Sequence, residues 1–159
     1  MAEERNRKRT QRALCAYSEL QKAWAAITSM QGRQLASFGV TVPQFAVLAA
    51  LYFDGAVSLT ELGDRIICTE SNACVIAGNL EKRALLTKTA DVADRRKVSL
   101  KLTREGAKLV RKVYPRYAKV VRARMCVLSS HEQDRLEELC KKLQEGDAVK
   151  FMMDLSRAE

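Results

Sequence analysis

The stretch Leu80–Gly106, LEKRALLTKTADVADRRKVSLKLTREG, is the part of the chain whose reading decides the fold. Within it, Val98-Ser99-Leu100-Lys101-Leu102 alternates apolar and polar residues, as a strand with one buried face does. Leu86–Ala90 reads as the opposing strand and Asp91–Lys97 as the loop between them. Arg95, Arg96 and Lys97 set three positive charges side by side in that loop. Like charges repel, so the turn gains nothing from them, and an anionic partner is the physical reason for such a tip.

Upstream of the hairpin lie two short helices. Ser58 with Glu61 three residues on is a capping box, and it opens a helix with Leu59, Leu62 and Ile66 inward. Thr69 offers the next N-cap, starting a helix with Ala73, Ile76, Ala77 and Leu80 on one face. Two short helices joined by a tight turn are a helix-turn-helix, and a hairpin directly after one is a wing. Further upstream, about Asn6–Phe38 forms a long amphipathic helix with Tyr17, Leu20, Trp24, Ile27 and Leu35 at helical spacing. Gly39 breaks it, and Thr41 with Gln44 caps a second helix that carries Phe45, Leu48, Leu51 and Tyr52 and stops at Asp54-Gly55. Downstream, Thr103 caps a helix to about Val127, with an interruption and kink expected at Pro115. Ser129 or Ser130 opens the last helix, whose stripe is Leu136, Leu139, Cys140 and Leu143. The predicted fold is mostly α with a small β-hairpin wing, an α+β arrangement.

The 159 residues suit one domain of ordinary size, and 47% apolar against 30% charged residues is a globular balance. The N-terminus is charged from the start and no apolar run is long enough to span a bilayer, so a cytoplasmic protein is expected. Net charge is +9, unevenly spread. From Lys82 to Lys112 eleven Lys or Arg face three acids, whereas from Ser130 onward eight acids outnumber five bases. That asymmetry suits a phosphate-binding face, although a merely solubilising surface would also be basic. The five cysteines match neither a disulfide framework nor a zinc site, and His131 is the single histidine. Little is left from which to build a metal centre or a His-dependent nucleophile, so no catalytic residues, metal or cofactor are expected.

The run Leu80-Glu81-Lys82-Arg83, the trio Asp94-Arg95-Arg96 and the junction Leu102-Thr103-x-x-Gly106 resemble the MarR-type winged helix-turn-helix transcriptional regulators, from the recognition helix through the wing. FGVTVPQFAVLAAL, Phe38–Leu51, resembles the second helix of that family, and the likeness covers roughly residues 10 to 145. The resemblance implies one MarR-like domain over 1–159. Its N- and C-terminal dimerisation helices would be about 6–38 and 104–155, around a winged DNA-binding lobe at about 40–103. It also implies a homodimer, a repressor on a palindromic operator, and release by a small phenolic ligand or thiol oxidation. Dimerisation is expected on physical grounds as well, because the apolar stripes of the first and last helices lack a covering element. Two lobes would match half-sites one helical turn, about 34–36 Å, apart.

A major groove admits a helix and displays a distinguishable pattern of donors and acceptors. The residues of the recognition helix left facing outward are Ser71, Asn72, Cys74, Val75 and Asn79. Asn72 and Asn79 suit base edges, Val75 suits a thymine methyl, and Thr69 and Ser71 either touch phosphate or only cap the helix. The sequence departs from the family at Val75, where a longer polar side chain is common, and at Ala84, where Gly is common. Arg95 is expected in the minor groove, Asp94 as the support of Arg95 or Arg96, and Lys97 on phosphate.

Regulation is less sharply encoded. Tyr17, Trp24, Phe45 and Tyr52 line an effector pocket or belong to ordinary core packing. Cys15, Cys68 and Cys74 are candidate redox thiols or small buried hydrophobes, and Cys126 and Cys140 read as core or dimer-face residues. The expected partners are double-stranded DNA, a second copy and a small aromatic effector. The competing function is a winged-helix architectural or protein-interaction module without an effector.

Overall fold

A computed structural model describes residues 1–66, 69–90 and 98–145. Two compact units make up the chain, Met1–Val121 and Arg122–Glu159. Among the described residues no helix is long and apolar enough to cross a membrane.

The first helix, α1 (Ala2–Ala36), is 35 residues long, which at 1.5 Å per residue makes a rod of roughly 50 Å. Only its last third meets the core, where Gln31 and Leu35 are buried. The chain then reverses through a Schellman close. The Val40 N–H donates to the Leu35 carbonyl (3.3 Å), the Gly39 N–H to that of Ala36 (2.9 Å), and Gly39 sits at φ +70°. Both halves of the Thr41–Gln44 capping box form and open α2 (Val42–Asp54), with Pro43 in the first turn where its missing N–H costs nothing. Gly55, at φ +83°, ends it.

A strand of two residues, β1 (Val57–Ser58), leads into α3 (Leu59–Ile66). The Glu61 carboxylate accepts from the Ser58 N–H (2.8 Å), while the Glu61 N–H donates to the Ser58 hydroxyl (3.2 Å), which is the expected capping box. The next helix, α4 (Glu70–Lys82), begins as Thr69 accepts from the Asn72 N–H (3.3 Å). It ends on the same Schellman pattern as α1: the Leu85 N–H reaches the Leu80 carbonyl (3.0 Å) and the Ala84 N–H that of Glu81 (2.8 Å). Here the left-handed position is held by Ala84, at φ +54°.

Strands β2 (Leu86–Ala90) and β3 (Val98–Leu102) pair antiparallel from Leu86↔Leu102 to Ala90↔Val98. Leu100 is fully buried, Val98 and Leu102 are half-buried, and Lys101 is exposed, as the alternation requires. The wing is nevertheless more than a hairpin. β1 pairs with the other edge of β3, Val57 opposite Leu100, giving a three-stranded sheet ordered β1–β3–β2. Two residues are too few to show a period of two, which is why the sequence alone leaves β1 unread.

Thr103 joins the sheet to α5 (Arg104–Met125). Its hydroxyl accepts from the Gly106 N–H (3.0 Å) and donates to the Ala84 carbonyl (2.8 Å), while its N–H donates to the Leu85 carbonyl (3.1 Å). The helix is not interrupted at Pro115 as expected; it runs on through it to Met125. Pro115 removes one backbone hydrogen bond. Val110 and Val113 before it are fully buried and Tyr117 after it packs on the same core, so side-chain contacts on both sides hold the helix together.

In the second unit, α6 (Ser130–Glu145) is capped by Ser129, whose N–H and hydroxyl both donate to Glu132 (2.8 Å each). Gln133 donates from its amide to the Met125 and Leu128 carbonyls (3.2 and 3.0 Å), closing the corner before α6. No residue of α6 is buried.

Candidate nucleic-acid interface

The interface is built on α4. Ala73, Ala77 and Leu80 are fully buried and Ile76 is half-buried, so the inner face is the one expected. Alanine at two of these positions leaves only a methyl group between the helix and its neighbours. The opposite face presents Ser71, Asn72, Cys74, Val75 and Asn79, all exposed, with Thr69 exposed at the N-cap. Val75 is 63% exposed, a large apolar side chain left in water. Asn72 spends its backbone N–H on the Thr69 cap, which leaves its exposed carboxamide for another partner. Thr69 therefore serves as the cap whatever else it touches.

The C-terminal end of α4 is tied down by three contacts. Arg83 donates to the Gly39 carbonyl (2.8 Å) in the turn after α1. Glu81 accepts from the Lys88 N–H (3.2 Å) and lies 3.7 Å from the Lys88 ammonium, which links the helix to β2. Arg83, one of the bases of the Leu80–Arg83 run, is thus a brace in the fold. Asp94, Arg95, Arg96 and Lys97, expected at the wing tip, lie outside the described residues, as does Cys68.

The four aromatic residues expected around an effector are not brought together within one chain. Tyr17 and Trp24 lie on the exposed length of α1, 58% and 65% exposed. Phe45 is buried against Tyr117, ring centroids 5.0 Å apart, and half-buried Tyr52 packs edge-on against Phe53. What does converge was not anticipated. The buried Gln31 amide donates to the Tyr117 hydroxyl (3.3 Å), and burial raises the Tyr117 pKa above the usual phenol range, with the Gln31 contact opposing it. One turn along α1, the Gln34 side-chain oxygen is buried and has no hydrogen-bond partner among the described residues. Lys112 and Arg116 flank the Phe38 ring, 5.8 and 5.3 Å from its centroid. The available signal was Gln31 itself, a polar residue continuing the seven-residue spacing of Tyr17 and Trp24 along an apolar stripe.

Cys15 and Cys74 are exposed thiols. Cys126, expected in the core or on a dimer face, is exposed in this chain and donates to the Ala123 carbonyl (3.3 Å); Cys140 is half-buried.

A profile of the MarR family matches residues 38–97, the stretch from the α1–α2 turn through the wing. Bacillus subtilis YkoM, an uncharacterized HTH-type transcriptional regulator, is 30% identical over 137 residues, 86% of this chain and 89% of its own. The chain belongs to the MarR family. Like its relatives in the MarR family it is a transcriptional regulator with a winged-helix DNA-binding fold. Among solved structures, Bordetella bronchiseptica BpsR, whose DNA binding is regulated by 6-hydroxynicotinic acid, is similar with a TM-score of 0.75. Its identity is 27%, covering 82% of this chain and 93% of that one. The MarR-family regulator Sco3205 of Streptomyces coelicolor, solved in complex with DNA, shares the fold with a TM-score of 0.78. The two are 23% identical, over 84% of this chain and 86% of that one.

Proposed function

We propose that this MarR-family regulator works as a homodimeric repressor on a palindromic operator and leaves DNA when a small phenolic ligand binds or a thiol is oxidised. The observation that carries the DNA half is the two-faced α4, with Ala73, Ala77 and Leu80 at 0% exposure and Ser71, Asn72, Cys74, Asn79 and the apolar Val75 outward. Ser71, Asn72, Cys74, Val75 and Asn79 face the major groove, with Thr69 at its edge. Asn72 and Asn79 read adenine and Val75 meets a thymine methyl. Arg95 enters the minor groove, Asp94 supports Arg96, and Lys97 holds phosphate.

The whole chain acts as one MarR-like domain, with helices at about 6–38 and 104–155 pairing across the dimer. Supporting this, Leu14, Tyr17, Leu20 and Trp24 are all exposed along α1, and Leu139 and Leu143 along α6. An apolar stripe of that length in water marks an interaction surface. A protein of this kind meets its operator in the cytoplasm.

The effector binds at Gln31, Gln34, Phe45 and Tyr117, where a buried acceptor oxygen has no donor among the described residues. A phenolic hydroxyl supplies that donor, and the Lys112 and Arg116 cations favour an acidic group on the same ligand. BpsR, the relative regulated by a hydroxylated aromatic acid, supports this choice of class. Tyr17 and Trp24 join the pocket only from a second copy, and Tyr52 borders it. Cys15 and Cys74 are the thiols open to oxidation, Cys74 within the DNA-reading face, with Cys68 as a third.

A gel shift on the DNA upstream of the chain's own gene tests this reading. It is repeated with salicylate, and then with hydrogen peroxide followed by reductant. Release by one addition assigns the effector, and failure to bind any upstream fragment would refute the repressor reading.

A further inference from the structure

The N-terminal turns of α1 carry a second charged pattern that the winged lobe does not use. Arg5, Lys8, Arg9 and Arg12 stand at i, i+3, i+4 and i+7, so they line one face of the helix, and all four are exposed. Among the described residues Lys8 alone of the four has an acidic partner, Glu4 at 2.7 Å. Cations four residues apart repel along a helix, and a cation in the first turn opposes the helix dipole. The stripe therefore weakens the helix that bears it, and structure gives no reason for it. It lies N-terminal to Leu14, where the exposed apolar stripe of α1 begins, so it is not part of that stripe.

We infer that this basic face binds the phosphate backbone of DNA flanking the operator half-sites. This inference rests on the DNA-binding reading above. The seven steps from Arg5 to Arg12 rise about 10 Å, the axial length of roughly three phosphates on one strand. A membrane surface is the weaker fit, because an interfacial helix needs a large apolar face and residues 2–13 contain none larger than alanine. Each phosphate neutralised releases counterions, so the contact adds affinity without adding sequence preference.

The test compares the full-length protein with Arg5→Gln/Arg9→Gln/Arg12→Gln on two duplexes by fluorescence anisotropy across a salt series. One duplex is limited to the footprinted operator and the other extends it by one helical turn on each side. The wild type is expected to bind the extended duplex more tightly. The variant should match it on the short duplex and lose that gain, by about tenfold or more at roughly 0.1 M salt. Its salt slope on the long duplex should be flatter by about 2 to 5. Because the substitutions relieve repulsion, the variant should melt no lower than the wild type. Equal affinity and slope for the two proteins on the extended duplex would overturn the inference while leaving the operator reading intact. Loss of binding to phosphatidylglycerol–phosphatidylcholine vesicles with unchanged DNA binding would assign the face to lipid and overturn it too. A wild type that fails on the short duplex would refute the DNA-binding reading itself, and this inference with it.

Discussion

A Cβ on Gly106 would lie 2.1 Å from the carbonyl oxygen of Leu85 and 2.8 Å from the Leu102 side chain. The same oxygen already accepts from the Thr103 N–H, so it belongs to the junction of sheet and α5 and has nowhere to go. Gly106→Ala is expected to destabilise the fold by about 3 kcal/mol, at the upper end for an overpacked site. Urea denaturation measures it, and a cost below about 1 kcal/mol would mean that the junction yields more easily than its geometry implies.

The turn after α4 makes the opposite case. Ala84 holds a left-handed conformation at φ +54°, in the Schellman position that α1 fills with Gly39. The conformation costs an L-residue about 1–2 kcal/mol, partly offset because Gly has more chain entropy to lose. Ala84→Gly should raise stability by roughly 0.5–1 kcal/mol, seen as a higher denaturation midpoint. A lower midpoint would show that the strain is relieved elsewhere.

The Ser58–Glu61 box gives a pH signature. The Ser58 backbone N–H, and after it the Ser58 hydroxyl, hold the Glu61 carboxyl below the ordinary carboxylate range. A lowered folded pKa means a contribution fully present above about pH 4.3 and lost as pH falls through the lowered value. Glu61→Gln should therefore be less stable than the wild type at neutral pH, with the gap narrowing in acid, below about pH 4.3. Urea midpoints at neutral pH and in acid decide it, and a gap that stays constant would remove the carboxylate from the cap.

Gln31, which is buried, and Tyr117, which is half-buried, form a pair whose halves depend on each other. Tyr117→Phe leaves the Gln31 amide without its acceptor and should cost about 1–3 kcal/mol. Replacing both, as Gln31→Met/Tyr117→Phe, should recover much of that loss, because no buried donor is left unpaired. A double variant no better than Tyr117→Phe would mean the cost lies in packing.

Much of the lobe was legible because its signals are local. Capping boxes at Thr41 and Ser58, the Thr69 cap and the alternation of Val98–Leu102 each act within a few residues and are found where the sequence puts them, and of the two serines offered for the last helix Ser129 is the cap. The inner face of α4 was legible for the same reason. The missed features depend on partners distant in sequence. Gln31 meets Tyr117 across 86 positions, and Arg83 reaches Gly39 across 44. β1 exists only because β3 offers Val57 an edge. Tyr17 and Trp24 follow helical spacing as core residues do, and a single chain leaves them exposed because spacing identifies a stripe without naming what covers it.

In the proposed function the outward face of α4 reads DNA and the wing secures it there. The most direct measurement is binding of purified wild type, Asn79→Ala and Arg95→Ala to the chain's own upstream DNA, with an unrelated duplex as control. The wild type should prefer the upstream fragment, and Asn79→Ala should lose about 1–3 kcal/mol of that preference. Arg95→Ala should abolish operator binding at moderate salt with its melting temperature unchanged. Wild-type affinity in both variants, or no preference by the wild type for its own upstream DNA, would contradict the account.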